Sequence, residues 1–396
     1  MIRLRTALAA TAAAVLLVLP VSSAAGPATA TATTGTGWTA SWGSAPAYAP
    51  VSGPWDNETL RMVVRTSGGG TSLRIRLSDA FSPQAAQIGH VTVGTQLNGG
   101  TTLEPVPTTV TFGGAQAVTI PAGGQVASDP VTFTVAPNTR LLVSIYVASG
   151  AALAQTSRHD VATETEYNHN GGDVSTAEYY PTSNTFGFVT MLDGVDVSST
   201  TPSTVVAVGD SITDGTGTGI DTDTRWPNYL ADRVSAAGLS VIDEGIAGNW
   251  VTQDKGSLGP SLQHRWQQDV LDQPGVRSVI DADGINDLRG GVTAQVLEQA
   301  QASLVASAHA AGLRILLSTI TPCEGDSLCT SAVETQRLAY NAWVISGVSG
   351  ADGVADFNSA TAVNENLKTA YDSGDHLHPN SAGAAVMANS LDVTKL

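Results

Sequence analysis

Residues 205–215 read VVAVGDSITDG, and this stretch decides the fold of the second half of the chain. Its apolar, β-branched run predicts a buried strand that ends at Gly209, where the chain turns into a polar segment. After it, strand-like and helix-like segments alternate to the end of the chain. We predict strands at 205–208, 240–242, around 279, 313–319 and 354–357, and helices at 226–237, 293–311, 333–346 and from 382. Such alternation predicts an α/β domain whose parallel sheet is covered by helices on both faces.

The first half of the chain has a different pattern. Between residues 38 and 193, short runs of alternating apolar and polar residues are separated by Gly, Pro, Asn and Asp, with almost no helical periodicity. Evenly spaced strands of this kind predict an all-β sandwich or jelly roll. The polar segment SSTTPS at 198–203 is the predicted linker. We therefore expect a β domain at 31–197 and an α/β domain at 204–396.

Residues 1–30 have the features of a secretory signal peptide. Two arginines open the segment, residues 7–19 are apolar, and the small residues ATA at 28–30 fit a cleavage site. The apolar run is shorter than the roughly 20 residues that span a bilayer. We expect a secreted, extracellular protein without stable membrane anchoring; a retained amphipathic anchor is the alternative.

The composition narrows the choice of partners. The formal net charge is −17, from 18 Lys and Arg against 35 Asp and Glu, and no basic cluster is present. Nucleic acid needs a basic face for its phosphates, so we expect no nucleic-acid partner. A neutral or cationic substrate suits the charge better. The sequence indicates no oligomeric state.

The two cysteines, Cys323 and Cys329, lie in one short loop, TPCEGDSLC. An oxidising compartment would let them pair. Their spacing is poor for zinc because no histidine lies nearby in the sequence. We therefore expect a disulfide that holds the loop after a strand.

Ser211 follows the first strand of the predicted α/β domain. Sheets of this kind bind ligands at the carboxyl ends of their strands, near a switch in strand order. A serine at this place is either a nucleophile or part of an ordinary turn. As a nucleophile it needs a base, a group that orients the base, and donors for the developing oxyanion.

The segment YDSGDHLHPN at 371–380 offers the base and its orienting group. Asp375 and His378 are three residues apart, so a compact turn lets the carboxylate accept from Nδ1–H while Nε2 faces Ser211. His376 is the alternative base, but we expect it to point to the opposite side of the segment. A metal site of Asp375, His376 and His378 is a further alternative, with awkward ligand spacing.

Two other predicted strand ends offer oxyanion donors. In EGIAGNW at 244–250, Gly248 has no Cβ and its N–H can approach a substrate closely. In GINDL at 284–288, the Asn286 amide can donate to the same oxygen, with the Ser211 N–H as a third donor. Each loop alone is equally compatible with a simple glycine turn.

Together these residues resemble the SGNH (GDSL-type) hydrolase superfamily, named for Ser, Gly, Asn and His in its conserved blocks. The matching blocks are GDSIT with Ser211, GIAGN with Gly248, GIND with Asn286, and DHLH with Asp375 and His378. The resemblance covers 205–396, and the whole chain looks like secreted bacterial members with a β domain ahead of the catalytic one. It implies a flavodoxin-like sheet and carboxyl-ester hydrolysis without a metal or cofactor.

One stretch departs from the family pattern. The strand before GIND reads VIDAD, which places Asp281 and Asp283 inside or at the end of a central strand. Buried carboxylates are costly unless they are paired or hydrogen-bonded. Asp283 either faces the site, where it would raise the pKa of His378 or select a substrate with donor groups, or is satisfied by loop amides.

The resemblance thus implies a serine esterase with an acyl-enzyme mechanism, and we expect short acyl esters, acetyl above all, on small esters or polysaccharides. The alternatives are a lipase or lysophospholipase-type acylhydrolase, and a non-catalytic protein whose Trp38, Trp42, Tyr48 and Trp55 bind carbohydrate. A dinucleotide site at GTGTG, 215–219, does not begin at the strand end. Thr213 excludes the G-x-S-x-G elbow of α/β hydrolases.

Overall fold

The computed structural model describes residues 37–201 and 203–396. The predicted signal peptide lies outside the described residues, as does Pro202 of the predicted linker. Within the described ranges, no helix combines the length and the apolar character that crossing a bilayer requires.

The N-terminal part is an antiparallel all-β region, as predicted. Its strands are β1 (Trp38–Gly43), β2 (Val51–Trp55), β3 (Glu58–Thr66), β4 (Gly70–Ser78), β5 (Ala86–Gln96), β6 (Leu103–Val110), β7 (Val118–Ile120), β8 (Gln125–Ala127), β9 (Val131–Val135), β10 (Thr139–Val147), β11 (Leu153–Gln155), β12 (Arg158–His159), β13 (Glu166–Asn170), β14 (Asn184–Phe186), β15 (Val189–Thr190) and β16 (Leu192–Ser198).

Two sheets of this region pack face to face. The larger has the strand order β14-β13-β3-β10-β5-β6, with β7 beside β5, and the smaller has the order β1-β16-β4-β8, with β9 beside β4. Alternation along β4 shows why: Leu73, Ile75 and Leu77 are fully buried, whereas the residues between them are partly exposed. These side chains share one core with Leu60 and Met62 of β3, so the region is a sandwich.

The C-terminal part alternates strands and helices. Its elements are β17 (Thr204–Gly209), α1 (Ser211–Asp214), α2 (Trp226–Val234), β18 (Ser240–Gly245), α3 (Leu262–Trp266), β19 (Val276–Ala282), α4 (Ile285–Arg289), α5 (Ala294–Ala310), β20 (Arg314–Ser318), α6 (Ser331–Ile345), β21 (Gly353–Ala355), α7 (Phe357–Thr361), the hairpin β22 (Ala362–Val363) and β23 (Asn366–Leu367), and α8 (Ser381–Ser390).

The parallel sheet has the order β18-β17-β19-β20-β21. In sequence order this is 2-1-3-4-5, the flavodoxin-like arrangement, whose switch point lies beside the first strand. β17 is buried on both faces: Val206 and Val208 enter one apolar core, and Val205 and Ala207 enter the other. The apolar run at 205–208 is therefore the central strand that the sequence predicts.

β18 is longer than the predicted strand at 240–242. The sequence DEG that follows is typical of a turn, yet Asp243 and Glu244 continue the strand and are buried. Asp243 is paired with Arg225 at 3.1 Å, and the pKa of Glu244 lies well above its usual value, because burial dominates over the nearby positive charge of Arg76. The strand can continue because Arg225 pairs with Asp243 and because the raised pKa of Glu244 favours its neutral form in the core.

The β region and the parallel sheet meet along β1. Ala40 of β1 belongs to the core on one face of the parallel sheet, and its N–H donates to the Pro274 carbonyl at 2.8 Å. Ser67 and Ser240 contact each other through their hydroxyl oxygens at 2.8 Å. We call this contact zone the seam. The strands pair in antiparallel fashion up to Ser198 and in parallel fashion from Thr204 onwards. The predicted domain boundaries remain a prediction.

Candidate active site

Ser211 stands at the carboxyl end of β17, at the switch point of the parallel sheet. It is the first residue of α1, and Asp210 caps this helix by accepting the Ile212 N–H at 2.9 Å. Gly209 is required before it, because a Cβ there would lie 2.6 Å from the carbonyl oxygen of Ala282. The tight turn holds Ser211 at the edge of the sheet with 7% of its surface exposed.

Three of the predicted residues form one hydrogen-bonded chain. Ser211 Oγ lies 2.8 Å from His378 Nε2, and His378 Nδ1 lies 2.6 Å from Asp375 Oδ2. The other carboxylate oxygen of Asp375 accepts the N–H groups of Leu377 and His378 at 3.0 and 2.9 Å. The geometry places a base against the serine and a carboxylate behind the base.

The environment keeps Asp375 ionised. Partial burial acts to raise its pKa, but the hydrogen bonds from the His378 ring and from two backbone N–H groups outweigh burial and hold the pKa well below its usual value. An ionised Asp375 accepts a hydrogen bond from Nδ1–H of His378, so Nε2 of the ring can accept a hydrogen bond from the Ser211 hydroxyl.

His376 lies apart from Ser211. Its Nδ1 contacts Asp372 Oδ2 at 2.7 Å, and its side chain is 56% exposed. The imidazole also lies against Gly325, where a Cβ would come within 2.8 Å of the ring. In the described part of the chain, ligand atoms of three His, Cys, Asp or Glu residues converge only at Cys323, Cys329 and Glu334. The two cysteines there form a disulfide.

Gly248 lies in the loop after β18, which we call the oxyanion loop, residues 246–249. The Ile246 N–H donates to the Gly209 carbonyl at 3.0 Å, and the Ala247 N–H donates to Asp214 Oδ2 at 2.8 Å. Gly248 has φ +78°, a conformation that favours glycine. These contacts tie the loop to both ends of the turn that carries Ser211.

Asn286, the third predicted oxyanion donor, lies on α4. Its Nδ2 donates one hydrogen to the Asn249 carbonyl at 3.0 Å, which leaves the second N–H of the amide for another acceptor. Asn249 is itself fully buried, and its Nδ2 donates to the carbonyls of Leu258 and Pro260 at 2.9 and 2.8 Å. Asn286 therefore has a fixed side-chain orientation.

Residues 207–386 match the sequence profile of the GDSL-like Lipase/Acylhydrolase family. This part of the chain is a GDSL-type domain.

No curated protein matches the chain. Solved structures similar to it include a variant of an acetyl xylan esterase from Geobacillus stearothermophilus, at 24% identity over 48% of this chain and 93% of the other, with TM-score 0.39. A GDSL-like lipase from Bacteroides thetaiotaomicron has 19% identity over 49% and 87%, with TM-score 0.38. An alpha/beta hydrolase enzyme from the metagenome of Lake Arreo, Spain, has 25% identity over 48% and 93%, with TM-score 0.38.

Arg265 of α3 organises the GDSL domain beneath the site, and sequence reasoning missed it. It is 4% exposed, and its guanidinium donates to the carbonyls of Gly209 and Glu244 at 3.1 and 2.6 Å. It also donates to Asn249 Oδ1 at 3.0 Å and pairs with Asp269 at 3.0 Å. One side chain thus joins the carboxyl ends of β17 and β18 to the oxyanion loop. The only signal in the sequence is the i,i+4 spacing of Arg265 and Asp269.

Asp287, the acid of GIND, fixes the segment after the oxyanion loop in the GDSL domain. It is fully buried and accepts the N–H groups of Val251 and Thr252 at 2.8 and 3.1 Å, and the Thr252 hydroxyl at 2.6 Å. Burial raises its pKa despite these hydrogen bonds. Its position in the sequence motif reflects a structural contact between α4 and the loop after β18.

Asp281 and Asp283 are both buried in the GDSL domain. Asp281 accepts from Gln301 Nε2 at 3.2 Å, and burial raises its pKa to about 7. Asp283 accepts the Gly284 N–H at 2.7 Å, and burial together with the charge of Asp210 raises its pKa well above the usual value. A loop amide therefore satisfies one oxygen of Asp283, as the second alternative predicts. No hydrogen bond joins Asp283 to His378. Both carboxyl groups gain protons more readily than ordinary aspartates.

The disulfide between Cys323 and Cys329 confirms the predicted pairing. The loop that it closes contacts the GDSL site through Asp326, which pairs with Arg289 of α4 at 3.0 Å. Arg289 in turn lies 3.4 Å from Asn286 Oδ1. The loop thus supports the helix that carries Asn286.

Proposed function

We propose that this protein is a secreted serine carboxyl-ester hydrolase that works through an acyl-enzyme. The observation that carries the proposal is the hydrogen-bonded chain of Ser211, His378 and Asp375 at the switch point of a GDSL-type domain. In that order the three side chains supply a nucleophile, a general base and a group that orients the base.

The proposed reaction begins when His378 Nε2 takes the proton of Ser211 and Oγ attacks the ester carbonyl. The Ser211 N–H, the Gly248 N–H and the Asn286 amide donate to the oxyanion of the tetrahedral intermediate. His378 then gives the proton to the leaving alcohol. Water repeats these steps on the acyl-enzyme and releases the acid.

The proposed substrate is a short acyl ester, acetyl above all, of a small alcohol or a polysaccharide. Aromatic residues make up 5% of the chain, and the sequence offers no long apolar segment to cover a fatty acyl chain. Secretion is proposed from residues 1–30 alone. A lipase-type acylhydrolase is the alternative within the same chemistry.

Three of the four aromatic residues of the carbohydrate-binding alternative contact other side chains of the β region. Trp42 is buried in the core of the sandwich. The Arg74 guanidinium lies 4.9 Å from the centre of the Trp38 ring, and Trp55 packs against Phe186. No observation favours the non-catalytic alternative over the esterase.

Hydrolysis of p-nitrophenyl acetate by the wild type and by Ser211→Ala tests the proposal. We expect kcat to fall on the order of 10⁶-fold in the variant. His378→Ala should lose activity to a similar degree, and His376→Ala is the matched control that should keep most of it. Retained activity in Ser211→Ala would contradict the proposal, and equal losses at both histidines would contradict the role of His378.

A series of p-nitrophenyl esters from acetate to palmitate, run beside acetylated xylan, tests the substrate class. We expect kcat/KM to fall as the acyl chain lengthens, because the site has to accommodate each added methylene. A maximum at long chains would replace the proposed substrate with a lipid ester and leave the mechanism unchanged.

A further inference from the structure

A histidine of the β region contacts the site from across the seam. His159 is the last residue of β12 and is 6% exposed. Its Nδ1 lies 2.9 Å from the Ala45 carbonyl oxygen. Its Nε2 lies 3.0 Å from both the Val161 carbonyl oxygen and Asp214 Oδ1.

These partners define the charge of His159. A carbonyl oxygen accepts hydrogen bonds and cannot donate them, and each ring nitrogen faces at least one carbonyl. Both nitrogens therefore carry a proton, and His159 is an imidazolium. Burial acts to lower its pKa, but the charge of Asp214 and the hydrogen bonds outweigh burial and raise the pKa to about 9.

The other charged groups facing His159 favour the same state. Asp243 of β18 and Asp269, which follows α3, are buried acids whose charges act on the imidazole. Asp243 is in turn paired with Arg225. The surroundings therefore stabilise a buried cation on His159 at neutral pH.

Asp214 links His159 to the oxyanion loop. It is the fourth residue of α1, the helix that begins with Ser211, and it is 1% exposed. Its Oδ1 contacts His159, and its Oδ2 accepts the Ala247 N–H at 2.8 Å. Ala247 directly precedes Gly248. Without the cation, Asp214 would be a buried carboxylate that lacks its counter-charge.

We propose that His159 is a positioning residue for the oxyanion loop: the imidazolium holds Asp214 in place, and Asp214 holds Ala247 so that the Gly248 N–H faces the substrate oxygen. The inference rests on the proposed function, because Gly248 matters to catalysis only if the site hydrolyses esters. It gives the β region a part in the catalytic site.

The kinetic test is His159→Gln, assayed with p-nitrophenyl acetate well below the unfolding temperature. Glutamine can donate one N–H to Asp214 but carries no charge. We expect kcat to fall about 10- to 100-fold with KM little changed, somewhat less than full loss of an oxyanion donor. His90→Gln is the matched control, because His90 is also buried in the β region and contacts Asp173 at 3.1 Å. Equal kcat in the two variants would overturn the inference.

A double-mutant cycle separates a shared pathway from general damage. Asp214→Asn should lower kcat, and the His159→Gln, Asp214→Asn double variant should lose no more than the worse single variant, because both changes break the same link. Losses that multiply in the double variant would show independent effects and contradict the proposed link.

A spectroscopic test needs no ester hydrolysis. In ¹⁵N-histidine-labelled wild type at about pH 7.5, one histidine should have both ring nitrogens protonated, and its signals should be absent from His159→Gln. Amide exchange at Ala247 and Gly248 should be faster in His159→Gln than in His90→Gln. A neutral His159, or unchanged exchange, would overturn the inference. Wild type that cleaves no ester would instead contradict the proposed function, and these two measurements would still decide the contact.

Discussion

Among single residues, Asp375 and Asp372 each orient a neighbouring histidine, but the two histidines face different surroundings. Each carboxylate contacts Nδ1 of its histidine, Asp375 that of His378 and Asp372 that of His376. Only the His378 ring reaches Ser211. The pair of acids offers an internal comparison of how orientation of an imidazole contributes to rate.

Asp375→Asn should lower kcat for p-nitrophenyl acetate by roughly 10⁴-fold, because an amide can hold the His378 ring in the wrong tautomer. Steady-state kinetics at neutral pH measure this. Asp372→Asn is the control and should keep most of the activity. Comparable losses in both variants would mean that the loop, and not the tautomer of His378, determines the rate.

Asp281 should make stability depend on pH. Burial raises its pKa to about 7, so the folded protein binds a proton that the unfolded chain releases at lower pH. The stabilisation is fully present below the usual aspartate pKa and is lost as the pH rises through about 7. Asp281→Asn should therefore gain stability relative to wild type between about pH 5 and about pH 8, measured by urea unfolding. The exposed Glu178 provides the control, Glu178→Gln; the same relative gain in this variant would contradict the assignment to Asp281.

The predicted site residues Ser211, Gly248, Asn286, Asp375 and His378 come from short motifs at strand ends. Such residues can be predicted because parallel strands bring their carboxyl ends to one edge of the sheet. Arg265 and His159 could not be predicted in this way. Arg265 contacts Gly209, which lies 56 positions away, and His159 contacts Asp214, which lies 55 positions away. No local sequence pattern predicts which distant group a buried charge contacts.

At the scale of elements, the sequence predicts the long strands and helices and misses the short ones. α5 and α6 lie within a few residues of the predicted helices at 293–311 and 333–346. α3, α4 and α7 have five residues each, too few to show a helical period. The predicted strand at 354–357 is shorter in the structure because Phe357 begins α7. These short helices nonetheless carry Arg265 and Asn286.

Arg265→Met should lower the free energy of unfolding by about 3–5 kcal/mol, because Asp269 would remain as a buried charge without its partner. It should also lower kcat, since Asn249 loses the donor that holds it. Urea unfolding and steady-state kinetics measure the two effects. Arg265→Lys keeps the positive charge but lacks the several donors of the planar guanidinium. Its stability and kcat should lie between those of wild type and Arg265→Met.

A suitable control for the arginine is Arg314→Met, because Arg314 is exposed on β20. Stability close to wild type is expected there. If Arg314→Met and Arg265→Met destabilise the protein equally, the loss reflects the general effect of the substitution and not the contacts of Arg265.

Removing the disulfide should affect both stability and rate. The Cys323→Ser, Cys329→Ser variant loses a cross-link over a sequence separation of 6, worth about 2 kcal/mol in chain entropy. Looser support of Arg289 by Asp326 should also lower kcat. Thermal unfolding and kinetics with and without reductant measure this. Asp326→Asn, which keeps the disulfide, isolates the contribution of the ion pair; unchanged kcat in both variants would contradict the coupling to Asn286.

For the whole molecule, the seam is the feature that the sequence did not predict. The linker was expected to separate two domains, whereas Ala40 of β1 lies in the core of the parallel sheet and Arg76 of β4 donates to Gln273 at 2.8 Å. Such contacts depend on how two faces match after each has folded. A pattern of apolar and polar residues predicts which face of a sheet or helix is buried. It does not predict which other element packs against that face.

Residues 204–396 expressed alone should be poorly soluble. Without the β region, the core that contains Ile242 and Val206 loses Ala40, and Glu244 and Asp214 lose their cationic neighbours Arg76 and His159. Size-exclusion chromatography should show aggregates, and ester hydrolysis should be far below that of 31–396. A monomeric, fully active 204–396 would contradict the importance of the seam.

The pairing of His159 with Asp214 sets a rule for exchanging gene segments between proteins of this architecture. The cation is encoded in the first half of the gene and its counter-charge in the second, so a chimera that imports a β region without a cation at this position inherits half of an ion pair. Such a chimera would need a compensating change at Asp214 in the same step. The two halves are therefore expected to be exchanged together, as one inherited block, wherever this pair is present.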